Sequence, residues 1–318
     1  MIENQTNQEG LTPAAEGLSV SPISISSRPT ETEPYVSVPI TMRSLLDAGA
    51  HFGHKAEKWN PKMLPFIYGK RNHIHIINLD LTLELWARAR KFISDVASRG
   101  GNILFVGTKQ QSRELVKEAA ERCGGFYVNH RWLGGTLSNF ETIRNSIARM
   151  GKLEELLRAS EDKESKIKLS KKERLGITRE ISKLAVNLQG IRSMKKLPDV
   201  IFAVDILKER IAVSEAKNLR IPLVALVDTN ADPSEVTFPI PANDDAVRTI
   251  KLFVNAVSDA FNEGRLIYQA RLAEIEAERV KAQERAEHAK AMKTLTNEHQ
   301  QNQHPEDADS NAGLPVQG

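Results

Sequence analysis

Residues 51–75, called here the basic segment, crowd cations, imidazoles and aromatic rings together. Five fixed positive charges face one carboxylate, that of Glu57. The cations are Lys55, Lys58, Lys62, Lys70 and Arg71, interleaved with His51, His54, His73, His75, Phe52, Trp59, Phe66 and Tyr68. Cations beside flat rings suit phosphate groups and unstacked bases. The alternative is an ordinary surface loop whose rings belong to the core.

A second candidate lies in FYVNHRWLGGTLSNF, residues 126–140. His130 and Arg131 offer charge-assisted donors, and the following glycines allow close backbone approach before a helix N-terminus that attracts anions. Trp132 could stack on a ligand, but burial in a tight turn is the favoured interpretation. Arg131 is equally compatible with an RNA contact and an internal ion pair. Lys109, directly after an apolar run, is equally compatible with a phosphate contact and a solvated position.

The motifs of nucleotide and hydrolase chemistry are absent from the sequence. It contains no G-x-G-x-x-G fingerprint after a strand, no G-x-x-x-x-G-K-[ST] loop and no G-x-S-x-G elbow. Four aspartates near predicted strand ends could bind Mg²⁺ or act as catalytic carboxylates; they are Asp228, Asp232, Asp244 and Asp245. Turn and cap roles are the favoured interpretation. A metal held by His51 and His54 is less favoured still.

The elements that must position these residues follow from apolar runs. Four runs are typical of buried parallel strands; they cover residues 75–78, 103–107, 200–204 and 223–227. Helices are predicted at 82–98, 110–122, 206–219 and 244–262, with further short strands at 126–128 and 238–240. This alternation predicts an α/β fold, with a parallel sheet covered on both faces.

Residues 137–197 interrupt the alternation. Ser138 with Glu141, and Ser170 with Glu173, are capping-box pairs that predict two helix starts. Apolar residues then recur at steps of three and four, which predicts an antiparallel coiled-coil hairpin. The segment holds 15 Lys and Arg against eight Asp and Glu, a net charge of 15 − 8 = +7. Such residues usually form a solvated face, but a protruding basic arm also suits folded RNA.

Composition and charge indicate how the 318-residue chain is organised and which classes of protein are excluded. The net charge of +3 divides into −4 for residues 1–41, +9 for residues 42–264 (36 cations and 27 anions) and −2 for the remainder. A basic body with acidic ends fits a polyanion-binding core. A single cysteine, Cys123, excludes an intramolecular disulfide and a cysteine metal cage. The sequence lacks a long apolar run and a signal-peptide pattern, so we expect no membrane segment.

Five stretches together resemble the S2 family of bacterial small-subunit ribosomal proteins. They are residues 48–80, NILFVGTKQQ at 102–111, the 126–140 stretch, LPDVIFAVD at 197–205 and residues 221–250, which contain VDTNADP and NDDA. The resemblance runs in order from about Thr41 to about Gly264. It leaves out both extensions of the chain.

The resemblance implies a Rossmann-like or flavodoxin-like sandwich with an inserted antiparallel coiled-coil hairpin. It implies a non-catalytic constituent of the cytoplasmic ribosome that binds small-subunit ribosomal RNA near the junction of head and body, late in assembly. Other small-subunit ribosomal proteins, including the large messenger-binding one, are the implied protein partners. No cofactor, membrane or small-molecule substrate is expected.

The expected domains are a disordered extension (1–40), the α/β domain (41–136 and 198–264), the hairpin (137–197) and a helical, then disordered, tail (265–318). The candidate RNA-binding residues are His54, Lys55, Lys58, Lys62, Lys70, Arg71, His73, Lys109, His130, Arg131, Lys171 and Lys172. Two alternatives stay open at this point. One is an α/β enzyme with a carboxylate or metal site at its strand ends, and the other is a free adaptor whose coiled coil binds protein.

Overall fold

A five-stranded parallel sheet organises the chain, whose computed structural model describes residues 39–161 and 168–301. The strands are β4 (Ile103–Val106), β5 (Phe126–Val128), β6 (Val200–Val204), β7 (Leu223–Val227) and β8 (Phe238–Pro241), in the spatial order β5-β4-β6-β7-β8. Every residue of β4, β6 and β7 is buried, as continuous apolar runs require when both sheet faces are covered. The predicted parallel sheet is confirmed, including its two short edge strands.

Helices cover the two faces of this sheet and build a separate core on each. On one face lie α2 (Leu79–Ser98), α3 (Arg113–Cys123) and α7 (Val247–Gln301), packed on side chains such as Phe105 and Phe202. On the other face α6 (Arg210–Asn218) packs on the alternate side chains, such as Leu104 and Ile201. The architecture is therefore the flavodoxin-like α/β sandwich. In the part of the chain that the structure describes, no helix is long and apolar enough to cross a membrane.

The basic segment forms a small antiparallel sheet of its own. Its strands are β1 (Phe52–Lys55), β2 (Ile67–Arg71) and β3 (Ile74–Ile77), in the order β1-β3-β2, with 3₁₀ helices at Ala56–Lys58 and Pro61–Phe66 between β1 and β2. The short helix α1 (Met42–Ala48) precedes it. The prediction that residues 75–78 join the parallel sheet is wrong. Asn72 and His73 adopt positive φ values of 49° and 61°, which close a tight β2–β3 hairpin, so β3 pairs locally instead.

Two helices form the insertion, α4 (Phe140–Glu161) and α5 (Lys171–Leu188), and they contact each other. Arg149 on α4 bridges to Glu180 on α5 at 2.7 Å. The capping box of Ser170 and Glu173 is present. The one predicted at Ser138 is replaced, because α4 begins only at Phe140 and the Ser138 N–H donates to Glu215 instead of Glu141. Coiled-coil supercoiling of the pair stays a prediction, as do the domain boundaries. The predicted disorder of residues 1–38 lies outside the described residues, as does most of the predicted link near 160–170. The disorder predicted beyond about residue 294 is wrong as far as Gln301, because α7 continues to that residue, and the rest of that prediction lies outside the described residues.

Gly190 allows the backbone that follows the insertion to pack closely against β5. Gly190 lies in the 3₁₀ helix Gln189–Ile191 that follows α5, and a Cβ there would overlap the Tyr127 carbonyl oxygen of β5. No real Cβ tolerates such an overlap, so the backbones would have to separate.

We expect Gly190→Ala to lower the free energy of unfolding by roughly 1–3 kcal/mol, because overpacking displaces buried backbone. Gly176→Ala on α5 is the matched control, since no atom lies within 4 Å of its added Cβ. That control should stabilise the helix by up to about 1 kcal/mol. Urea unfolding measures both changes, and equal effects of the two substitutions would contradict this account.

Candidate functional site

The carboxyl ends of the parallel strands bring four predicted site residues into one ion cluster. The Lys109 ammonium lies 2.9 Å from Asp244 and 3.3 Å from Asp205, and it also bridges to Asp245. Burial lowers the pKa of Lys109, but these carboxylates outweigh burial and raise it above its ordinary value. The solvated position considered for Lys109 is therefore wrong. Its phosphate contact stays a prediction, which three neighbouring carboxylates disfavour.

The same cluster holds His54, which the basic segment supplies. Its Nδ1 lies 3.1 Å from Asp228 Oδ2 and its Nε2 lies 3.4 Å from Asp245 Oδ2. Nδ1 is buried and makes no aligned hydrogen bond despite that short distance. Asp228 raises the pKa of His54 against the opposing effect of burial, with smaller contributions from Asp244 and Asp245. His54 is thus turned into the protein, and its predicted RNA contact has no geometric support.

Three of these side chains could hold a metal ion. His54, Asp228 and Asp244 each offer a ligand atom, and these atoms lie within 4.8 Å of one another. Burial, with the charges of Asp228 and Asp205, raises the pKa of Asp244 to about 7 despite the Lys109 ammonium. Three of the four predicted aspartates, Asp228, Asp244 and Asp245, therefore lie in one cluster. Asp232 lies apart, because it bridges to Lys62 at 2.5 Å, which lowers the pKa of Asp232 to about 2.

A buried pair of side chains, Thr108 and Glu209, joins the segments that follow β4 and β6. Strand order reverses there, and such switch points bind ligands in open α/β sheets. The backbone N–H and hydroxyl of Thr108 donate to Glu209 Oε1 at 2.8 Å and 2.6 Å. Both residues are buried, and burial raises the pKa of Glu209 more than these bonds lower it. Glu209 gave no signal in the sequence because glutamate is common in helix starts.

Several exposed cations belong to the basic segment, on the small antiparallel sheet or on the 3₁₀ helix after β1. Lys55, Lys58, Lys70 and Arg71 are exposed, and among the described residues none of them pairs with a carboxylate. His73 is exposed at the β2–β3 turn. The structure therefore brings these five predicted residues together. It assigns Lys62 to an ion pair with Asp232.

The rings of the segment take two different roles. Trp59 and His75 lie with ring centroids 5.1 Å apart, and both are half-buried. Tyr68 is exposed. The alternative of a loop is wrong, because the segment forms a sheet, but Phe66 packs against the core as that alternative expects.

Glu215 anchors the turn that carries His130 and Arg131. One carboxylate oxygen accepts from Trp132 Nε1 at 3.1 Å and from the Gly135 N–H at 2.7 Å. The other accepts from the Leu137 N–H at 2.9 Å and the Ser138 N–H at 3.0 Å. The favoured interpretation, that Trp132 is buried, is confirmed. Glu215 is not among the predicted residues: its place beside buried α6 residues such as Ala212 and Ala216 indicates burial but does not identify its partners.

The remaining candidates are exposed cations. His130 and Arg131 point to solvent, and within residues 39–161 and 168–285 no carboxylate pairs with Arg131, so its internal ion pair is wrong. Lys171 and Lys172 occupy the exposed first turn of α5. Positive charge is unfavourable at a helix N-terminus. Nothing in the structure brings these two lysines to the small sheet.

The hydrogen bonds to Glu215 predict how the stability of the fold depends on pH. Burial raises its pKa, but hydrogen bonds from Ser138, Leu137, Gly135 and Trp132 outweigh burial and hold the pKa below its ordinary value. A carboxyl with a lowered folded pKa stabilises the fold fully above the unfolded pKa, about 4.3, and loses that contribution as pH falls through the folded pKa.

We expect Glu215→Gln to lower the free energy of unfolding by roughly 2–4 kcal/mol at pH 7, because buried donors lose a charged acceptor. The difference from the parent should shrink as pH falls below about 4. Urea unfolding at several pH values measures it. Glu235→Gln, at an exposed position, is the control and should show almost no difference. A pH-independent difference for Glu215→Gln would contradict the prediction.

Comparison with known proteins gives a consistent result. A family model described as Ribosomal protein S2 matches residues 45–264. A curated relative from Coxiella burnetii (strain RSA 493 / Nine Mile phase I), named small ribosomal subunit protein uS2, is 51% identical over 230 residues, 72% of each chain. A relative of the same name from Bdellovibrio bacteriovorus is 48% identical over 233 residues, 73% of each chain.

Proposed function

The chain belongs to the ribosomal protein S2 family, and on that basis we propose that it is a structural, non-catalytic constituent of the small ribosomal subunit whose small antiparallel sheet binds ribosomal RNA. The observation that carries the RNA contact is a set of four exposed cations in the basic segment, none of which pairs with a carboxylate of the residues that the structure describes: Lys55, Lys58, Lys70 and Arg71.

The rigidity of the sheet supports this role. The His54 N–H donates to Thr229 Oγ1 at 2.8 Å, and the Asn60 N–H donates to the Thr229 carbonyl at 2.8 Å. Met63, between β1 and β2, is fully buried in the core. The cations are therefore presented on a fixed surface, and binding costs little ordering of backbone.

Other exposed cations extend the proposed interface. Lys171 and Lys172 on the helical insertion would reach RNA away from the sheet, and His130 with Arg131 would add a third contact. We assign the other partners to small-subunit ribosomal proteins, including the large messenger-binding one. As a ribosomal protein the chain works in the cytoplasm. The buried carboxylate of Glu209, bound to Thr108 at the switch point, opposes a phosphate-bearing substrate there.

The first test measures the salt dependence of binding to small-subunit ribosomal RNA. A variant with Lys58, Lys70 and Arg71 all replaced by alanine should bind more weakly. Its plot of log affinity against log salt should be shallower by roughly 0.7–0.9 for each phosphate that the variant no longer neutralises.

The control replaces Lys251, Arg271 and Lys281 of α7 by alanine. These three are also exposed, so the control changes net charge by the same three units. It should keep the parent slope. A parent affinity that does not change with salt would exclude the electrostatic mechanism, and equal slopes for both triple variants would place the RNA contact elsewhere. Binding that requires a protein partner instead of RNA would favour the adaptor alternative.

A second candidate function is a structural cation site at His54, Asp228 and Asp244. The observation that favours it is the convergence of three ligand atoms, one from each side chain, within 4.8 Å of one another. One imidazole and two carboxylates suit Zn²⁺ better than Mg²⁺, which prefers oxygen ligands alone. Such an ion would tie the basic segment to the ends of β7 and β8.

Equilibrium dialysis of the full chain against Zn²⁺ tests this site. About one zinc per chain is expected in the parent, and His54→Ala should lose it because an essential ligand is gone. His73→Ala, at the exposed turn, is the control and should keep the zinc. No zinc in the parent, or zinc retained by His54→Ala, would leave the cluster as an internal ion network.

A further inference from the structure

Tyr68 is exposed to a degree that the fold does not explain. Its side chain is 80% exposed, the highest value among the large apolar and aromatic residues that the structure describes. Aromatic residues make up only 5% of the chain. A ring displayed on a rigid, cationic sheet is therefore a candidate for direct contact with a ligand.

A β-bulge directs this ring outward. Ile67 pairs with Ile77, but Gly69 pairs with the next residue along β3, Ile76. Tyr68 is thus an extra residue on β2 without a cross-strand partner of its own. Bulges disrupt the ladder locally and re-aim a side chain. The tyrosine is displayed by backbone geometry, so its exposure does not depend on a mobile loop.

The surface next to the ring is open. No atom lies within 4 Å of a Cβ built on Gly69, and its φ lies outside the left-handed range. The fold would therefore accept any side chain at this position. Glycine inside a strand often marks a bulge or a place where a ligand approaches closely, and Gly69 lies at the bulge and beside open space.

Cations flank this open surface. Gly69 and Arg71 lie two residues apart on β2, so they share one face of the small sheet. Arg71 and Lys55 both pair with Ile74, which places them on either side of it on that face. Phe52, 47% exposed, pairs with Ile76 in the next row. The face combines flat apolar surface with two unpaired positive charges.

We propose that Tyr68 stacks on an unpaired base of the RNA, which lies over Gly69 while Arg71 and Lys55 bind the flanking phosphates. The proposal rests on the RNA-binding function above and names the RNA element that the small sheet takes. Stacking on aromatic side chains tolerates any base, and single-stranded loops and bulges supply such bases. The ring accounts for the apolar part of the contact, and the cations account for its salt dependence.

The test measures binding of the full chain to small subunits that lack it. Tyr68→Ala should weaken binding about 5- to 100-fold, the range measured when a stacking aromatic is removed. Tyr68→Phe should stay within about twofold of the parent because it keeps the ring. The salt slope should not change in Tyr68→Ala, because no charge is removed. Gly69→Val should also weaken binding, because its side chain would occupy the space of the base.

Two controls separate the loss of stacking from a damaged fold. Leu266→Ala removes a side chain that is 66% exposed on α7 and should bind like the parent. Thermal unfolding of Tyr68→Ala and Gly69→Val should match the parent. Chemical probing of the RNA should then show one unpaired base that is protected by the parent and reactive with Tyr68→Ala.

The outcomes distinguish the stacking from the proposed function. Parent-like binding by Tyr68→Ala, with a reduced salt slope in the triple cation variant, would overturn the stacking and leave RNA binding intact. Weakened binding without any change in base reactivity would assign Tyr68 to a protein neighbour and would also overturn the stacking. A parent without salt-dependent RNA binding would overturn the proposed function itself.

Discussion

The position of the small antiparallel sheet depends on Thr229, the residue after the buried Asp228 at the end of β7. Its hydroxyl accepts the His54 N–H, its carbonyl accepts the Asn60 N–H, and its methyl group lies against Gly53. A Cβ on Gly53 would come within 2.5 Å of that methyl carbon. Because only glycine fits at position 53, β1 can pack closely against Thr229, and this packing holds the small sheet against the end of β7. The positions of the cations on β1 and β2 therefore depend on the contact with Thr229.

With the small sheet held in this position, some of its ionisable side chains face the buried carboxylates and others face solvent. His54 turns inward, where it and Lys109 meet the buried carboxylates Asp228 and Asp244. Lys55, Lys70 and Arg71 turn outward and meet none. Charges interact far more strongly in a buried cluster than across water, where salt screens them within about 8 Å. The acidic strand ends are therefore compensated locally and do not cancel the field of the cationic face.

Parts of this arrangement could be predicted from sequence because they depend on local pattern. The apolar runs of β4, β6 and β7 are continuous, and only a doubly covered sheet buries such runs. The run at β3 is similar in composition, yet its partner is set by a tight turn at Asn72 and His73, which apolar pattern does not encode.

Charged residues also differ in whether their positions could be predicted from the sequence. Exposed cations such as Lys70 could be placed from the sequence, because a solvated side chain needs no particular partner. Lys109 and Glu215 could not, because their partners come from distant segments. The bulge at Tyr68 was equally hidden, since it is a property of pairing between strands.

The carboxyl ends of β4 and β6, where this type of fold usually binds ligands, hold buried polar groups of the chain itself. At the β4–β6 switch point Glu209 takes the hydrogen bonds of Thr108, and Lys109 neutralises Asp244 beside it. A buried carboxylate in that position would repel a phosphate, so the crevice opposes the chemistry that this fold usually supports. Anion binding then requires surfaces that are not part of the doubly wound sheet. Exposed cations of the basic segment and of the helical insertion lie outside that sheet, where such binding can take place.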